Sequence, residues 1–461
     1  MKKNIVLISC DSLRPDFLGC YGNRSIRTPH SQWLADNGVI FENAISQYPS
    51  TIPNHASMLT GLYPFNHGIR KQYVKTKFLP GALKAFERFK SERYEIASFV
   101  GQRIFGPEYG YPWDFQHNSG LTSIKRYIAT HKKSQFFMFI HFWITHSPYK
   151  SQLPVENPID IIANLFTYLA SIKSNPFLRH DYMRSSNVNI DEVLNKSINR
   201  VINKIQLHKM EKIRRFTLIE DQKTKAFIRE GYRRSVEMAD FFVGQVIKYL
   251  EDARLLDKVI LVLTSDHGES FNEYNIAQEV KGRYGADKLD YEHGHSLTDN
   301  VLKVPLIFFS PNSLPQNKKI SHQVRSIDIM PTIFDILGLY KKDWPLKECD
   351  GVSMLDLVND PDSDFPQYSY SETFVKDEHK VCIRDNSYKL IIDYRSDKRY
   401  LYNLSLNETD NIIKDYPEIA DSLRKELMAL LKLEQKSDSR QALTDEEFKK
   451  ISKSLKDLGY F

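Results

Sequence analysis

The sequence contains few cysteines, no long hydrophobic run and little net charge, and the first two of these shortages each exclude a class of protein. Its cysteines are too few and too scattered for a disulfide framework or a zinc cluster, which predicts a reducing compartment and a cytoplasmic location. The apolar run Ile5–Ile8 ends at Ser9, far short of the core of a secretory signal peptide, and no stretch is long enough to span a membrane. The four cysteines among 461 residues are Cys10, Cys20, Cys349 and Cys382.

The charged residues nearly balance, with 64 Lys and Arg against 58 Asp and Glu, a net charge of +6. A hydrophobic fraction of 41% and a charged fraction of 26% are typical of globular proteins and exclude a disordered or fibrous chain. The positive excess lies between Val201 and Ser235, where there are ten Lys and Arg and four Asp and Glu. This basic segment is either a solvated helical face or a docking surface for an anionic substrate, and nucleic acid is the weaker interpretation.

Continuous apolar runs alternate with helical patterns along most of the chain. In the segment Tyr232–Leu250, apolar residues recur on one face of a helix. Strands that alternate with helices predict an α/β fold with a mostly parallel central sheet flanked by helices. The runs expected to form buried strands of this sheet are Ile5–Ser9, Phe136–Ile140, Val259–Leu263 and Leu306–Phe309.

The pattern changes at about residue 366. Short apolar segments near 381–383, 389–392 and 400–402 are separated by turn-forming residues, which predicts a small antiparallel sheet. A helix is expected over Pro417–Leu431, and a tail helix is expected to begin at Thr444. We therefore divide the chain into a catalytic domain at 1–365, with a basic helical insertion at about 151–231, and a small C-terminal α+β lobe with a tail helix at 366–461.

Polar residues come directly after two of the predicted strands, at their carboxyl ends. Asp11 comes after the first strand, and Asp266 and His267 come after the third. Each carboxylate alone could be a helix cap or a structural hydrogen-bond acceptor. Ligands of open α/β sheets lie at this edge, so together the three side chains could line one crevice. Their oxygen and nitrogen atoms suit Mn²⁺, Zn²⁺, Mg²⁺ or Ca²⁺.

The segment from Ser50 to Gly61 has the signals of a short helix. Pro53 suits its first turn, Thr51 lies near its N-cap, and Gly61 suits its end. The segment is either a capped helix and nothing more, or a helix that presents a hydroxyl at its positive end. In that second interpretation, an anionic ester would be held and attacked at the helix N-terminus.

Four segments in order resemble enzymes of the alkaline phosphatase superfamily. Residues 4–22 read NIVLISCDSLRPDFLGCYG and resemble the opening of sulfatases and phosphonate monoester hydrolases. Residues 51–68, TIPNHASMLTGLYPFNHG, are similar to the nucleophile segment of that group. Residues 263–269, LTSDHGE, resemble its second metal-binding segment, and residues 294–307, GHSLTDNVLKVPLI, resemble the stretch downstream of it. The resemblance covers nearly the whole chain except the basic insertion.

The departures from this pattern lead to a prediction about the ester. The resemblance implies a Cys or Ser, oxidised to formylglycine, where this chain has Thr51, and an Arg where it has His55. Thr51 with Pro53, Asn54 and His55 resembles instead the nucleotide pyrophosphatase/phosphodiesterase branch, in which an unmodified Thr attacks phosphorus. Gln102 and Ile104 replace the Lys and His of the sulfate-binding segment.

We therefore predict a metal-dependent hydrolase of phosphate or phosphonate esters that works through a covalent phospho-Thr intermediate. A sulfuric ester hydrolase and a phosphotransferase are alternatives. An anionic-polymer binding protein on an inactive scaffold is a third alternative, of a different class. The expected substrate is a small-molecule, glycan-linked or lipid-linked anionic ester, and the sequence predicts no oligomeric state.

The resemblance also implies a role for each site residue. One divalent metal, Mn²⁺ or Zn²⁺ before Mg²⁺ or Ca²⁺, is expected on the four residues that match one complete metal site. A second ion on His293 or His295 stays open, because no aspartate between Phe142 and His146 matches the Asp-x-x-x-His pair of two-metal relatives. The expected catalytic residues are Thr51, His146 and His295, the substrate contacts are Asn54, His55 and Gln72, and the metal ligands are Asp11, Thr51, Asp266 and His267.

Overall fold

The computed structural model describes residues 3–72, 76–100, 105–106, 109–117, 119–146, 222–271, 291–340, 349–375, 378–406 and 408–435. The strands in these ranges are β1 (Asn4–Cys10), β2 (Val39–Ile45), β3 (Glu95–Val100), β4 (Phe115–His117), β5 (Phe136–Phe142), β6 (Val259–Thr264), β7 (Ser270–Phe271), β8 (Tyr291–Glu292), β9 (Lys303–Phe309), β10 (Lys318–Arg325), β11 (Ser369–Val375), β12 (Glu378–Arg384), β13 (Tyr388–Asp393) and β14 (Lys398–Asn403). The α-helices are α1 (Pro29–Asp36), α2 (Thr51–Thr60), α3 (Pro64–His67), α4 (Lys84–Ser91), α5 (Leu121–Thr130), α6 (Gln222–Asp252), α7 (Asp299–Leu302), α8 (Ile329–Ile336), α9 (Leu355–Asn359) and α10 (Pro417–Gln435).

The main sheet has eight strands in the order β10-β2-β9-β6-β1-β5-β3-β4. Strand β9 runs antiparallel to both of its neighbours, and the other paired strands of this sheet are parallel. The predicted α/β fold with a mostly parallel central sheet is therefore confirmed.

Strand β1 lies in the middle of the sheet and is fully buried. Its alternate residues enter two different cores, because successive side chains of a strand point to opposite faces. Ile5 and Leu7 pack with α2, α4 and α8, whereas Val6 and Ile8 pack with α1, α5 and α6. A strand covered by helices on both faces needs apolar residues throughout, which explains the uninterrupted run in the sequence.

Four strands that lead to predicted site residues end at the same edge of the sheet. Strands β1, β5 and β6 are parallel, and β2 has the same direction because it is antiparallel to β9, as β6 is. Asp11 comes directly after β1, Thr51 lies six residues after β2, His146 four residues after β5, and Asp266 two residues after β6. The sheet therefore places these residues at one edge, as the sequence predicts.

Helix α2 has the bounds and the signals that its sequence indicates. It begins at Thr51 with Ser50 as the N-cap, and Pro53 lies in its first turn. Gly61 ends it in the left-handed region, with a φ of 74°, and its N–H donates to the carbonyl of Ser57 at 2.9 Å. All ten residues of the helix are buried, so α2 is a core helix whose N-terminus points at the carboxyl edge of the sheet.

The C-terminal lobe contains the predicted small antiparallel sheet, in the order β11-β12-β13-β14. Helix α10 packs on it through Ala420, Leu423 and Leu427. The domain division at residue 365 stays a prediction. The basic insertion also stays a prediction, because residues 147–221 lie outside the described residues. Helix α6 includes the last residues of the predicted insertion, from Gln222 onwards. The predicted tail helix from Thr444 also lies outside them.

A buried ion network joins the C-terminal sheet to the main domain. Asp299, at the start of α7, pairs with Arg384 and Lys389, and Nζ of Lys389 also lies 2.5 Å from a carboxylate oxygen of Glu408. Burial alone would raise the pKa of Asp299, but Arg384 and Lys389 hold it below its ordinary value. Removing Lys389 from this network would leave the buried carboxylate of Glu408 without the cation beside it, whereas Asp299 would keep Arg384. No helix among the described residues has the length and apolar character needed to cross a bilayer.

The first prediction concerns this network. We expect Lys389→Met to lower the free energy of unfolding by about 3–5 kcal/mol, because the buried Glu408 loses the cation beside it. Lys414→Met is the control, since Lys414 is exposed and its replacement should change stability by less than about 0.5 kcal/mol. Urea denaturation of both variants measures the difference, and equal stabilities would show that the network contributes nothing.

Candidate metal centre

Four side chains meet at the carboxyl edge of the sheet, and all four are buried. Oγ1 of Thr51 lies 3.5 Å from Oδ2 of Asp11 and 3.4 Å from Nε2 of His267. Nε2 of His267 lies 3.3 Å from Oδ2 of Asp266 and 3.9 Å from Oδ1 of Asp11. Loops and one helix N-terminus, distant in the sequence, thus bring four donor groups together.

These separations suit the ligands of a single cation. An ion bound at about 2.0–2.4 Å by each donor needs donor atoms roughly 3–4 Å apart. Oδ2 of Asp266 is buried and has no hydrogen-bond partner among the described residues, which is costly for a carboxylate oxygen unless a cation compensates it. The predicted ligand set of Asp11, Thr51, Asp266 and His267 therefore fits one divalent ion, and its assignment to these residues stays a prediction.

Hydrogen bonds from the surrounding backbone orient the predicted ligands. Oδ1 of Asp266 accepts from the N–H groups of Ser12 and His267, at 3.1 Å and 3.0 Å, which turns Oδ2 towards the centre. Nδ1 of His267 donates to the carbonyl of Gly268 at 2.8 Å, so that Nε2 faces the other donors. Orientation of this kind fixes the coordinating atoms before an ion binds.

The centre has a negative potential that attracts cations. Burial would lower the pKa of His267, but Asp266 and Asp11 raise it above its usual value. Burial would likewise raise the pKa of Asp11, and the nearby imidazoles of His146, His141 and His267 instead hold it well below its usual range. A metal ion would replace the proton of His267, because imidazole binds metals only in its neutral form.

Gly268 is required by the close packing of the metal loop. A Cβ atom at this position would lie 2.0 Å from the carbonyl oxygen of Asn300. The N–H groups of Gly268 and Glu269 donate to the carbonyls of Val301 and Asn300, at 2.9 Å and 3.0 Å. This contact fixes the loop that carries Asp266 and His267 against the segment before β9.

The three predicted substrate contacts are all engaged within the protein. The amide of Asn54 donates to the carbonyl of Asp266 and accepts from the N–H of Gln47, so it ties α2 to the metal loop. Oε1 of Gln72 accepts from the N–H of Ile52 at 2.8 Å, at the N-terminus of α2. Their contact with a substrate stays a prediction, and in this structure they brace the helix.

His55 is buried on α2, one turn after Thr51. Its Nδ1 donates to the carbonyl of Thr51 at 2.7 Å, and its Nε2 accepts from the hydroxyl of Ser9 at 2.8 Å. Burial lowers the pKa of His55 to about 4, so the ring is neutral near pH 7. Unlike the arginine expected from the resemblance, it therefore brings no positive charge to the site.

Of the two predicted catalytic histidines, His146 lies beside the centre. Its ring stacks on Trp143 with 4.1 Å between centroids and lies 5.0 Å from the ring of His293. The ring of His293 lies 4.1 Å from that of His267, and its Nδ1 lies 3.1 Å from Oε1 of the buried Glu269. The side chain of His295 is buried, and its backbone carbonyl accepts a hydrogen bond from Nζ of Lys380. His293 therefore contacts the centre through its ring, and the catalytic roles of His146 and His295 stay predictions.

The sequence interpretation missed His141. It lies inside β5, paired in register with Ser9 of β1, and its Nε2 is 3.2 Å from Oδ2 of Asp11. Its position was readable, because it comes after Phe137 and Phe139 at a spacing of two and so shares their face of the strand. A polar residue at the carboxyl end of an apolar run was the same signal that identified Asp11.

The second prediction tests the four-residue centre. We expect His267→Asn to lose one equivalent of bound divalent metal per chain, because the amide is a much weaker ligand than the imidazole. Metal analysis after dialysis against Mn²⁺ or Zn²⁺ measures this, with His322→Asn as the control because His322 lies on β10, outside the centre. Equal metal contents in the His267 variant and the wild type would contradict the assignment.

Curated proteins similar to this chain are named sulfatases. An ulvan-active sulfatase of Formosa agariphila is 25% identical over 412 residues, which cover 86% of this chain and 66% of that protein. An arylsulfatase of Clostridium perfringens is 24% identical over 482 residues, which cover 93% of this chain and 94% of that protein. The chain thus spans just under two thirds of the length of the first relative and nearly all of the second.

Solved structures share the fold at low identity. The structure of BT4656 with its substrate D-glucosamine-2-N,6-O-disulfate has a TM-score of 0.70 at 18% identity, and the match covers 96% of this chain and 100% of that one. The phosphonate monoester hydrolase of Agrobacterium radiobacter has a TM-score of 0.66 at 16% identity, over 94% of this chain and 96% of that one. The α/β architecture with its smaller antiparallel sheet is therefore the architecture of these enzymes.

The prediction of a phosphate or phosphonate ester hydrolase is wrong. The curated relatives reported above are named for sulfuric esters, and one structural neighbour is described as a 2-O glycosaminoglycan sulfatase. These names support the alternative of a sulfuric ester hydrolase. The prediction was wrong because it used the identities of Thr51 and Gln102 to decide which ester is cleaved. Gln102 lies outside the described residues.

The models of two sulfatase families match the chain. The model described as N-sulphoglucosamine sulphohydrolase, C-terminal, matches residues 271–435. The model described as Sulfatase matches residues 3–339, a range that includes all four predicted metal ligands. With this match over well more than half of its length, the chain belongs to the sulfatase family.

Proposed function

We propose that this protein is a metal-dependent hydrolase of sulfuric esters that uses the unmodified hydroxyl of Thr51. The observation that carries the proposal is the position of Oγ1 of Thr51, within 3.5 Å of both Asp11 and His267 at the N-terminus of α2. A helix N-terminus favours an anion such as a sulfate group. Membership of the sulfatase family and the names of the relatives support the sulfuric ester as the bond that is cleaved.

The proposed reaction has two displacements at sulfur. Oγ1 of Thr51 forms a bond to sulfur while the bond between sulfur and the alcohol oxygen breaks, and the alcohol departs with the proton released by Thr51. Water then attacks the same sulfur, the bond to Oγ1 breaks, and free sulfate leaves with the Thr51 hydroxyl restored. A divalent cation on Asp11, Asp266 and His267 would supply positive charge that lowers the pKa of the hydroxyl and offsets charge on the sulfuryl oxygens.

The neighbouring hydroxyl of Ser50 is the competing nucleophile. Ser50 is the N-cap of α2, and its Oγ is buried without a hydrogen-bond partner among the described residues. Thr51 is favoured because its oxygen lies against two of the predicted ligands, where loss of its proton would be stabilised. His146, held by its stack on Trp143, is proposed to contact the departing alcohol.

We propose a sulfated saccharide as the substrate class. The support comes from the relatives, which include an ulvan-active sulfatase and the structure with D-glucosamine-2-N,6-O-disulfate as its substrate. The charges of the centre also favour a monoanionic ester, because the buried Asp11 and Asp266 carboxylates would repel a dianion more strongly than a monoanion.

The third prediction concerns the ester. We expect nitrophenyl sulfate to be hydrolysed faster than nitrophenyl phosphate and than a nitrophenyl phosphonate, in assays with Mn²⁺, Zn²⁺, Mg²⁺ or Ca²⁺. D-glucosamine-2-N,6-O-disulfate is the saccharide probe, and release of inorganic sulfate is the readout. Faster turnover of either phosphorus ester under every metal condition would overturn the proposed function.

The fourth prediction concerns the nucleophile. We expect Thr51→Ala to stay folded and to lose sulfate release by a factor on the order of 10³ or more, as loss of a covalent nucleophile does in other enzymes. Ser50→Ala is the matched control, since its cap makes no side-chain hydrogen bond and its loss should leave turnover within a few-fold of wild type. Loss of activity in the Ser50 variant alone would assign the nucleophile to Ser50 instead.

A further inference from the structure

A second group of metal-competent side chains lies beside the predicted centre. His55, His141 and Asp266 each offer one donor atom, and these atoms all lie within 4.8 Å of one another. The three side chains are fully buried. His55 lies on α2, His141 on β5 and Asp266 after β6, so three separate elements converge on this point.

Unpartnered polar atoms are concentrated in this group. Among the described residues, neither ring nitrogen of His141 has a hydrogen-bond partner, and the same holds for Oδ2 of Asp266. Nε2 of His141 lies 3.2 Å from Oδ2 of Asp11, within the distance of an ion pair. Burying such atoms without partners costs free energy, and a bound cation would recover it by accepting their lone pairs.

One cation at the predicted centre would bind Oδ2 of Asp266, but it would leave both ring nitrogens of His141 without a hydrogen-bond partner among the described residues. Asp11 and Asp266 bring two negative charges, and the ion pairs of both within the described residues are with histidines. A sulfate monoester adds a third negative charge. One divalent cation would therefore leave the loaded site at a net charge of minus one, whereas two would leave it at plus one.

We propose that His55, His141 and Asp266 bind a second divalent cation, which shares the Asp266 carboxylate with the first. Two imidazoles and one carboxylate form a donor set that suits Zn²⁺ or Fe²⁺, whereas the first centre is richer in oxygen. This position differs from His293 and His295, where the sequence left a second ion open. The charge argument rests on the sulfuric ester of the proposed function, whereas the binding of the second ion is tested without any substrate.

His141 and Asp266 are the primary donors of this site, and His55 completes it. Nδ1 of His55 lies 3.7 Å from Oδ2 of Asp266 and at present donates to the carbonyl of Thr51. Coordination would exchange that hydrogen bond for a bond to the ion. Loss of His141 should therefore weaken the second ion more than loss of His55 does.

The test is a count of Zn²⁺ ions per chain by native mass spectrometry, on protein stripped with a chelator and titrated with Zn²⁺. We expect two ions in the wild type, one in His141→Gln, and an affinity for the second ion lowered at least tenfold in His55→Gln. His131→Gln is the matched control and should keep two ions, since His131 lies at the end of α5 with its ring on Tyr127. One ion in the saturated wild type, or two in His141→Gln with unchanged affinity, would overturn the proposal.

Two further measurements keep the result unambiguous. Circular dichroism and the unfolding midpoint of His141→Gln must match those of the wild type, and His141→Asn is the second variant if the first does not fold. The count uses no ester, so a failure to release sulfate would count against the proposed function while leaving the number of ions unchanged. Two ions that both persist in His141→Asn would likewise overturn the second site.

Discussion

The burial of two carboxylates at the carboxyl ends of neighbouring parallel strands is the constraint on which the rest of the site depends. Asp11 and Asp266 are fully buried, although an uncompensated charge in such a place would cost several kcal/mol. The protein offsets part of this cost with the N–H groups of Ser12 and His267 and with the imidazoles around Asp11. A cation on the predicted ligands would offset the remainder, which is why the fold and the candidate metal centre have to be understood together.

The same constraint explains why α2 is so deeply buried. Its N-terminus has to bring the Thr51 hydroxyl against the carboxylates, and Asn54 and His55 tie the first two turns to the metal loop and to β1. Gln72 accepts the Ile52 N–H at the same end. The hydroxyl is thus held by a helix that cannot shift without breaking buried hydrogen bonds, and such preorganisation would favour the proposed attack on a bound ester.

The sequence was most informative where one local signal determined the outcome. The uninterrupted run before Asp11 predicted a central strand, and Pro53 and Gly61 predicted the helix with its C-terminal stop. The network of Lys389, Asp299 and Glu408 could not be predicted, because residues about 90 positions apart meet only in the fold. His141 was overlooked because it extends an apolar run. The ester was wrongly predicted because Thr51 and Gln102 show only that the residues implied by the resemblance are absent, and their absence does not indicate which ester is bound.

The central claim is that the unmodified Thr51 hydroxyl becomes bonded to the sulfuryl group. The most direct measurement is the mass of the peptide containing Ser50–Thr60, before mixing with nitrophenyl sulfate and after rapid acid quenching. Our account predicts an unmodified Thr51 in the resting protein and the added mass of one sulfuryl group on Thr51 during turnover. Turnover with no adduct, or with the adduct on Ser50, would contradict it.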